Sequence, residues 1–161
     1  MHPSAQRVQQ SLETLGYTGQ VVELEASTRT AVEAAEAVTA ASDAACTVGQ
    51  IVKSLVFRLV PQQTPVLVLV SGSNRVHEKH LGKLLSGTLE RADAEWVREV
   101  SGFAIGGIPP LGHKTPMATY MDEDLLQYSV VWAAAGTPNA VFPIVPQDLL
   151  QISGAQVVSV K

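Results

Sequence analysis

The sequence predicts an α+β fold: a curled mixed, largely antiparallel, barrel-like sheet with flanking helices. Three observations lead there. Strand-like segments come in runs, over 49–70 and again over 117–145, rather than in strict alternation with helices. Apolar residues make up 46% of the chain and charged residues 16%, which is material for a core and not for a disordered chain. The 161 residues carry no internal repeat and no low-complexity linker, so one domain spanning 1–161 is expected.

Each element has its own signal. Val8, Leu12 and Leu15 fall on one face of a helix over 4–15, and Gly16 suits the position just past its end. "QVVELE" at 20–25 reads as a short strand. Thr30 followed by Glu33 is a capping-box pattern, opening a helix that runs to about residue 41. "GQIVKSLVFRLV" at 49–60 is β-branched and partly alternating, Pro61 to Pro65 is a turn, and "VLVLV" at 66–70 is a buried strand. Residues 76–86 read as a helix ending near Gly87, 88–92 as extended, and "DAEWVREV" as a short helix. "MATYM", "YSVVWAAA" and "AVFPIV" read as strands, the last two joined by the turn "GTPN". Pro146 suits the first position of a short helix over 147–152 that Gly154 ends, and "AQVVSV" closes the chain as a strand.

Charge and cysteine content narrow the function. The net charge of −4 argues against a grip on a long stretch of nucleic acid and leaves room only for a small local contact. A single cysteine, Cys46, excludes an internal disulfide and fits a reducing compartment. "MHPSAQRVQQ" has no apolar signal core, and the longest apolar runs are too short to span a bilayer. A cytoplasmic protein without a membrane partner is expected.

Three places can carry chemistry. Lys53 lies in "QIVKSLVF", where its face-mates Ile51, Leu55 and Phe57 are apolar. It is either an edge-strand lysine that blocks wrong pairing or a functional cation. "GGIPPLGHK" at 106–114 is stiff and nearly bare of side chains. The amides of Gly106, Gly107 and Ile108 can form an anion-binding concavity held rigid by Pro109 and Pro110, or the loop is only a connector. His113 follows, as a ligand for a phosphate or carbonyl or as a cap for the loop. His77 and His80 have helical spacing but no known zinc signature, and with Arg75, Lys79 and Lys83 they make the local basic cluster. There is no Walker loop, no Gly-x-Gly-x-x-Gly and no Gly-x-Ser-x-Gly elbow, so covalent catalysis has no supporting motif.

"GQIVKSLVF", "PVLVLVSGSNRV", "GFAIGGIPPLGHK" and "GTPNAVFPIVPQDLL" together carry a resemblance. From about Thr30 onward the chain resembles the YbaK/ProX-type aminoacyl-tRNA deacylases, relatives of the editing domain inserted in bacterial prolyl-tRNA synthetases. The resemblance implies a curled mixed sheet and hydrolysis of the ester joining a wrong amino acid to a tRNA 3′ end. It implies a functional role for Lys53 and places the family's Gly-x-x-x-Pro loop on Gly106 through Pro110. Gly106 and Gly107 are then the expected catalytic amides, and Ile108, Pro110, His113, Ala134 and Gly136 the expected substrate contacts. Some members carry Ser-Ala-Gly where this chain has Ala134-Ala135-Gly136, a departure from the cysteine-specific branch. The implied partner is the aminoacylated 3′ end of a tRNA, together with an aminoacyl-tRNA synthetase. No metal or cofactor is implied. The competing readings are a non-enzymatic module for a nucleotide or tRNA end, and a metal hydrolase built on His77, His80 and His113.

Overall fold

The structure, a computed structural model, describes residues 1–42 and 45–161. Its helices are α1 (Pro3–Thr14), α2 (Ala31–Ala41), α3 (Glu78–Leu84), α4 (Ala94–Ser101) and α5 (Pro146–Ser153). Its strands are β1 (Val22–Glu23), β2 (Ile51–Val60), β3 (Thr64–Ser71), β4 (Thr88–Arg91), β5 (Ala118–Asp122), β6 (Val131–Ala134), β7 (Ala140–Ile144) and β8 (Gln156–Val158). All eight join one curled mixed sheet in the order β1-β7-β6-β2-β3-β5-β8, with β4 pairing β2 on the same edge as β6. Pairings β1·β7, β2·β3, β2·β4 and β6·β7 are antiparallel, while β2·β6, β3·β5 and β5·β8 are parallel.

Local chemistry sets the helix ends. The Thr30 hydroxyl accepts from the Glu33 amide at 3.1 Å, and the Asp93 carboxylate accepts from the Trp96 amide at 2.8 Å, each satisfying a free first-turn donor. Gly102 and Gly154 end α4 and α5 in the left-handed conformation, with φ of 83° and 65°. Two expected elements are shorter than their apolar runs. The segment 20–25 pairs only at Val22 and Glu23, and the strand expected over 128–135 begins at Val131, because Glu123–Gln127 coils as a 3-10 turn capped by Asp122.

β3 explains the unbroken run "VLVLV". Leu67 and Leu69 face a core shared with Val8 and Leu12 of α1, with Met121, and with Phe103 and Ile108 of the loop after α4. Val66, Val68 and Val70 face the opposite side, packed with Phe57, Leu59, Leu81 and Leu89. A strand covered on both faces has no polar side to alternate. A third cluster joins Ala34, Ala35 and Val38 of α2 to Ile51 and Val141. On the face of β2 that carries Lys53, Ile51 belongs to the α2 cluster and Phe57 to the α3 cluster. Lys53 sits where these two cores part.

Candidate active site

β2 pairs with β3 from Val52 to Leu59. Its other edge changes partner midway: Ile51 and Val52 pair with β6, and Phe57–Val60 pair with β4. Lys53, Ser54, Leu55 and Val56 therefore have no paired strand on that edge, and a cleft opens there. It has two compartments that share Lys53, Ser54, Leu55, Ile105 and Ile108. The larger, of about 460 Å³, reaches Arg75, Glu78 and Arg91. The smaller, of about 170 Å³, reaches Arg29, Ala34, Trp132, Ala134 and Val141. Lys53 is thus no outer-edge gatekeeper: its strand is interior to the sheet, and the gap beside it is a cleft.

The Lys53 ammonium is half-buried and donates to the Asn74 carbonyl at 2.5 Å. Burial pushes its pKa below the ordinary lysine range; Arg75 pushes the same way and Asp122 opposes. A cation partly stripped of water and facing a cleft is poised to meet an anionic or carbonyl oxygen.

The loop after α4 crosses the gap. The Gly107 amide donates to the Ala104 carbonyl at 3.0 Å, closing a tight turn with Gly106 as its third residue at φ 96°. That is the position where a type II turn needs glycine. A Cβ on Gly106 would meet nothing within 4 Å, and its amide has no acceptor among the described residues. Gly107 is different, which corrects the expectation of two cooperating amides. Its N–H is used within the turn, its carbonyl accepts from the Gly136 amide at 2.8 Å, and a Cβ there would lie 2.8 Å from the Thr137 main chain. It is the point of close approach that docks the loop on the turn before β7.

Three other expected contacts lie elsewhere. Pro110 and His113 line a separate cavity of about 650 Å³ with Arg7, Ser11 and Met117. The His113 Nε2 lies 2.6 Å from the Pro109 carbonyl oxygen, and burial lowers its pKa against the effect of that bond. Gly136, at φ 97°, is buried where a Cβ would meet the Ser4 carbonyl at 2.6 Å. It lets α1 approach and does not line the cleft. Lys53, Gly106, Ile108 and Ala134 are the expected residues that the fold brings together. His77 caps α3 by accepting from the His80 amide, so these two and His113 do not converge, and among the described residues no group of three metal-ligating side chains does. Cys46 is buried, with its thiol pKa raised by that burial, the opposite of an activated nucleophile.

Sequence reasoning missed Arg29, Ala34, Trp132 and the polar network under Lys53. The Asp122 carboxylate is 1% exposed and accepts from the Ser71 amide at 3.1 Å, the Asn74 side-chain amide at 2.8 Å and the Asp124 amide at 2.9 Å. No spacing rule links the stretch "SGSN" to Asp122, 48 residues after Asn74.

The match to known proteins falls on this same architecture. The family model for the aminoacyl-tRNA editing domain matches residues 25–152, which takes in Lys53, the Gly106 turn and Ala134. The chain belongs to that family. A solved structure described as a candidate trans-editing enzyme for prolyl-tRNA synthetase is 53% identical, with a TM-score of 0.91 over 100% of this chain and 98% of that one. The uncharacterised protein YwhH of Bacillus subtilis (strain 168) is 27% identical over 137 residues, 85% of this chain and 83% of its own length. A candidate Cys-tRNA(Pro)/Cys-tRNA(Cys) deacylase, EbsC, of Enterococcus faecalis (strain ATCC 700802 / V583) is 28% identical over 110 residues, 67% of this chain and 66% of its own. As an aminoacyl-tRNA editing domain the protein is a deacylase, a carboxylic ester hydrolase, rather than a binding-only module. No described helix is long and apolar enough to cross a membrane.

Proposed function

We propose that this editing domain, with residues 1–161 acting as one unit, works in trans in the cytoplasm. It would remove a small amino acid such as Ala, Ser, Cys or Thr from mischarged tRNA-Pro or a similar tRNA. The observation that carries this reading is the two-compartment cleft meeting at Lys53. The smaller compartment, walled by Ala34, Ile51, Trp132, Ala134 and Val141, has room for a short side chain. The larger one, bordered by Arg75 and Arg91, suits the terminal adenosine and its phosphate.

An aminoacyl ester is already activated, so the chain needs no nucleophile of its own. It must hold the ester, admit water and stabilise the oxyanion. The Gly106 amide at the cleft, without an acceptor among the described residues, is suited to the last task, and one such donor is worth about 3 kcal/mol. The Lys53 ammonium polarises the carbonyl or anchors the adenosine end. Among the described residues that line both compartments there is no carboxylate or histidine to act as a general base. A ribose hydroxyl of the substrate takes that role in this reading. The protein reads the charged tip and little of the tRNA body, as its net negative charge requires. It would therefore act on tRNA after a synthetase has released it.

The test is a panel of tRNAs mischarged with Ala, Ser, Cys, Thr, Pro and Phe, incubated with the pure protein. Overlapping release of the small amino acids is expected, because a hydrophobic pocket separates single methylenes by only about 1–3 kcal/mol. Hydrolysis confined to the phenylalanyl ester would overturn the reading.

A further inference from the structure

We infer that Asp122 is a positioning residue for Lys53, acting through the Ser71–Asn74 turn. The turn itself is closed by the Asn74 amide donating to the Ser71 carbonyl at 2.9 Å. Asp122, the last residue of β5, holds both ends of it from below. One carboxylate oxygen accepts from the Ser71 main chain and from the Asn74 side chain, and the other accepts from the Asp124 amide. The Asn74 side chain is gripped a second time by Asp124 at 2.7 Å, and Lys161 holds Asp124 in turn at 2.9 Å. The result fixes one atom that matters at the cleft, the Asn74 carbonyl oxygen that receives the Lys53 ammonium.

The donor set explains why an acid stands here. Among the described residues every hydrogen-bonding partner of the Asp122 carboxylate is a neutral N–H, so no described cation in contact offsets the cost of burying it. Asparagine is nearly the same size, but it would turn an NH₂ group toward either the Ser71 and Asn74 donors or the Asp124 donor. The carboxylate also acts on Lys53 through space, favouring its charged form against burial and Arg75. The other charged groups lining the cleft beside Lys53 are Glu78 and Arg91, paired with each other at 3.3 Å, and Arg29 in the smaller compartment. Among the described residues Asp122 thus sets where the ammonium stands, and it opposes the larger effects of burial and Arg75 on its protonation.

The inference rests on the proposed function only for its kinetic readout, so two measurements are paired. The first titrates Lys53 directly, by the ¹³Cε resonance of lysine-labelled protein assigned with Lys53→Arg. In Asp122→Asn the Lys53 midpoint should fall below that of the wild type. The second is single-turnover deacylation of the best tRNA from the panel, where the rate should fall about tenfold or more, as for a catalytic group displaced by a fraction of an ångström. If Asp122→Asn does not fold, Asn74→Ala carries the same test. It removes the gripped side chain, keeps the carbonyl, and leaves the Ser71 and Asp124 bonds to Asp122 intact. It should melt near the native temperature and lose rate to a similar extent. Folded variants with an unchanged Lys53 midpoint and unchanged rate would overturn the inference. A wild type that hydrolyses no ester would count against the proposed function alone, because the titration would still report on Asp122.

Discussion

At the residue scale the group the proposed function depends on most is Lys53. Its pKa is lowered on folding, first by burial, so the unfolded chain binds this proton more tightly than the folded one. The sign follows: the group is a liability at neutral pH, and that liability is relieved as pH rises toward lysine's ordinary 10.5. Lys53→Met should therefore melt no lower than the wild type at pH 7 while losing most deacylation. Lys53→Ala should lower kcat/KM by about tenfold or more, a loss of at least about 1.4 kcal/mol. Lys53→Arg should also lose most activity, since a planar guanidinium does not occupy the place of an ammonium held by one carbonyl. Thermal melts beside single-turnover rates decide this; native melting with an unchanged rate in Lys53→Ala would refute the catalytic role. His113 gives a second signed prediction. Folding lowers its pKa below the ordinary 6.5, so the unfolded chain takes up the extra proton as pH falls through that range. Stability should decline on acidification from about pH 6.5. Melting temperatures from pH 7 to 5 should fall less steeply in His113→Gln, whereas parallel curves would place the acid sensitivity elsewhere.

At the element scale the loop after α4 and the broken edge of β2 line the candidate site together. The sequence marks the loop through its glycines and prolines but gives Gly106 and Gly107 the same task. The structure separates them, and so do the expected variants. A Cβ at Gly106 meets no neighbour, yet Gly106→Val forces a β-branched residue to φ 96° beside the cleft. It should damage deacylation more than folding. Gly107→Ala places a methyl 2.8 Å from the Thr137 main chain, where nothing flexible can give way. It should lower the melting temperature more than Gly106→Ala does, and equal melting of the two alanine variants would show that the loop does not dock as described. The gap in β2 was not legible at all. Nothing in "KSLV" announces that the edge partner changes from β6 to β4 on either side of it, because pairing is chosen by segments tens of residues away.

At the scale of the whole molecule, a chain of net charge −4 gathers Arg29, Lys53, Arg75 and Arg91 around one cleft. If these four meet the single-stranded tip of a tRNA, log kcat/KM should fall with log salt at a slope of about −3 or shallower, at some 0.7 per phosphate. A much steeper slope would mean that the protein grips the body of the tRNA as well. Ala134 tests the size of the smaller compartment. Ala134→Val should shift preference toward alanine and serine and away from threonine, read as the ratio of rates on the panel, and an unchanged ratio would move the amino acid out of that compartment.

The elements and the fold class were legible from the chain of residues alone. Periodicity, caps and turn residues place five helices close to where they lie, and Lys53 and Gly106 stand out because a cation among aliphatics and a glycine in a stiff loop break local rules. Those signals are local, carried by residues within a few positions of one another. Which residues meet became visible in the folded molecule. The fold sent Pro110 and His113 to a second cavity, turned Gly107 and Gly136 into points of close packing, and placed Asp122 beneath Asn74. The reason is physical. A strand fixes which face a side chain takes but not what lies across its edge, and in a mixed sheet the neighbours across β2 come from β4 and β6, far along the chain.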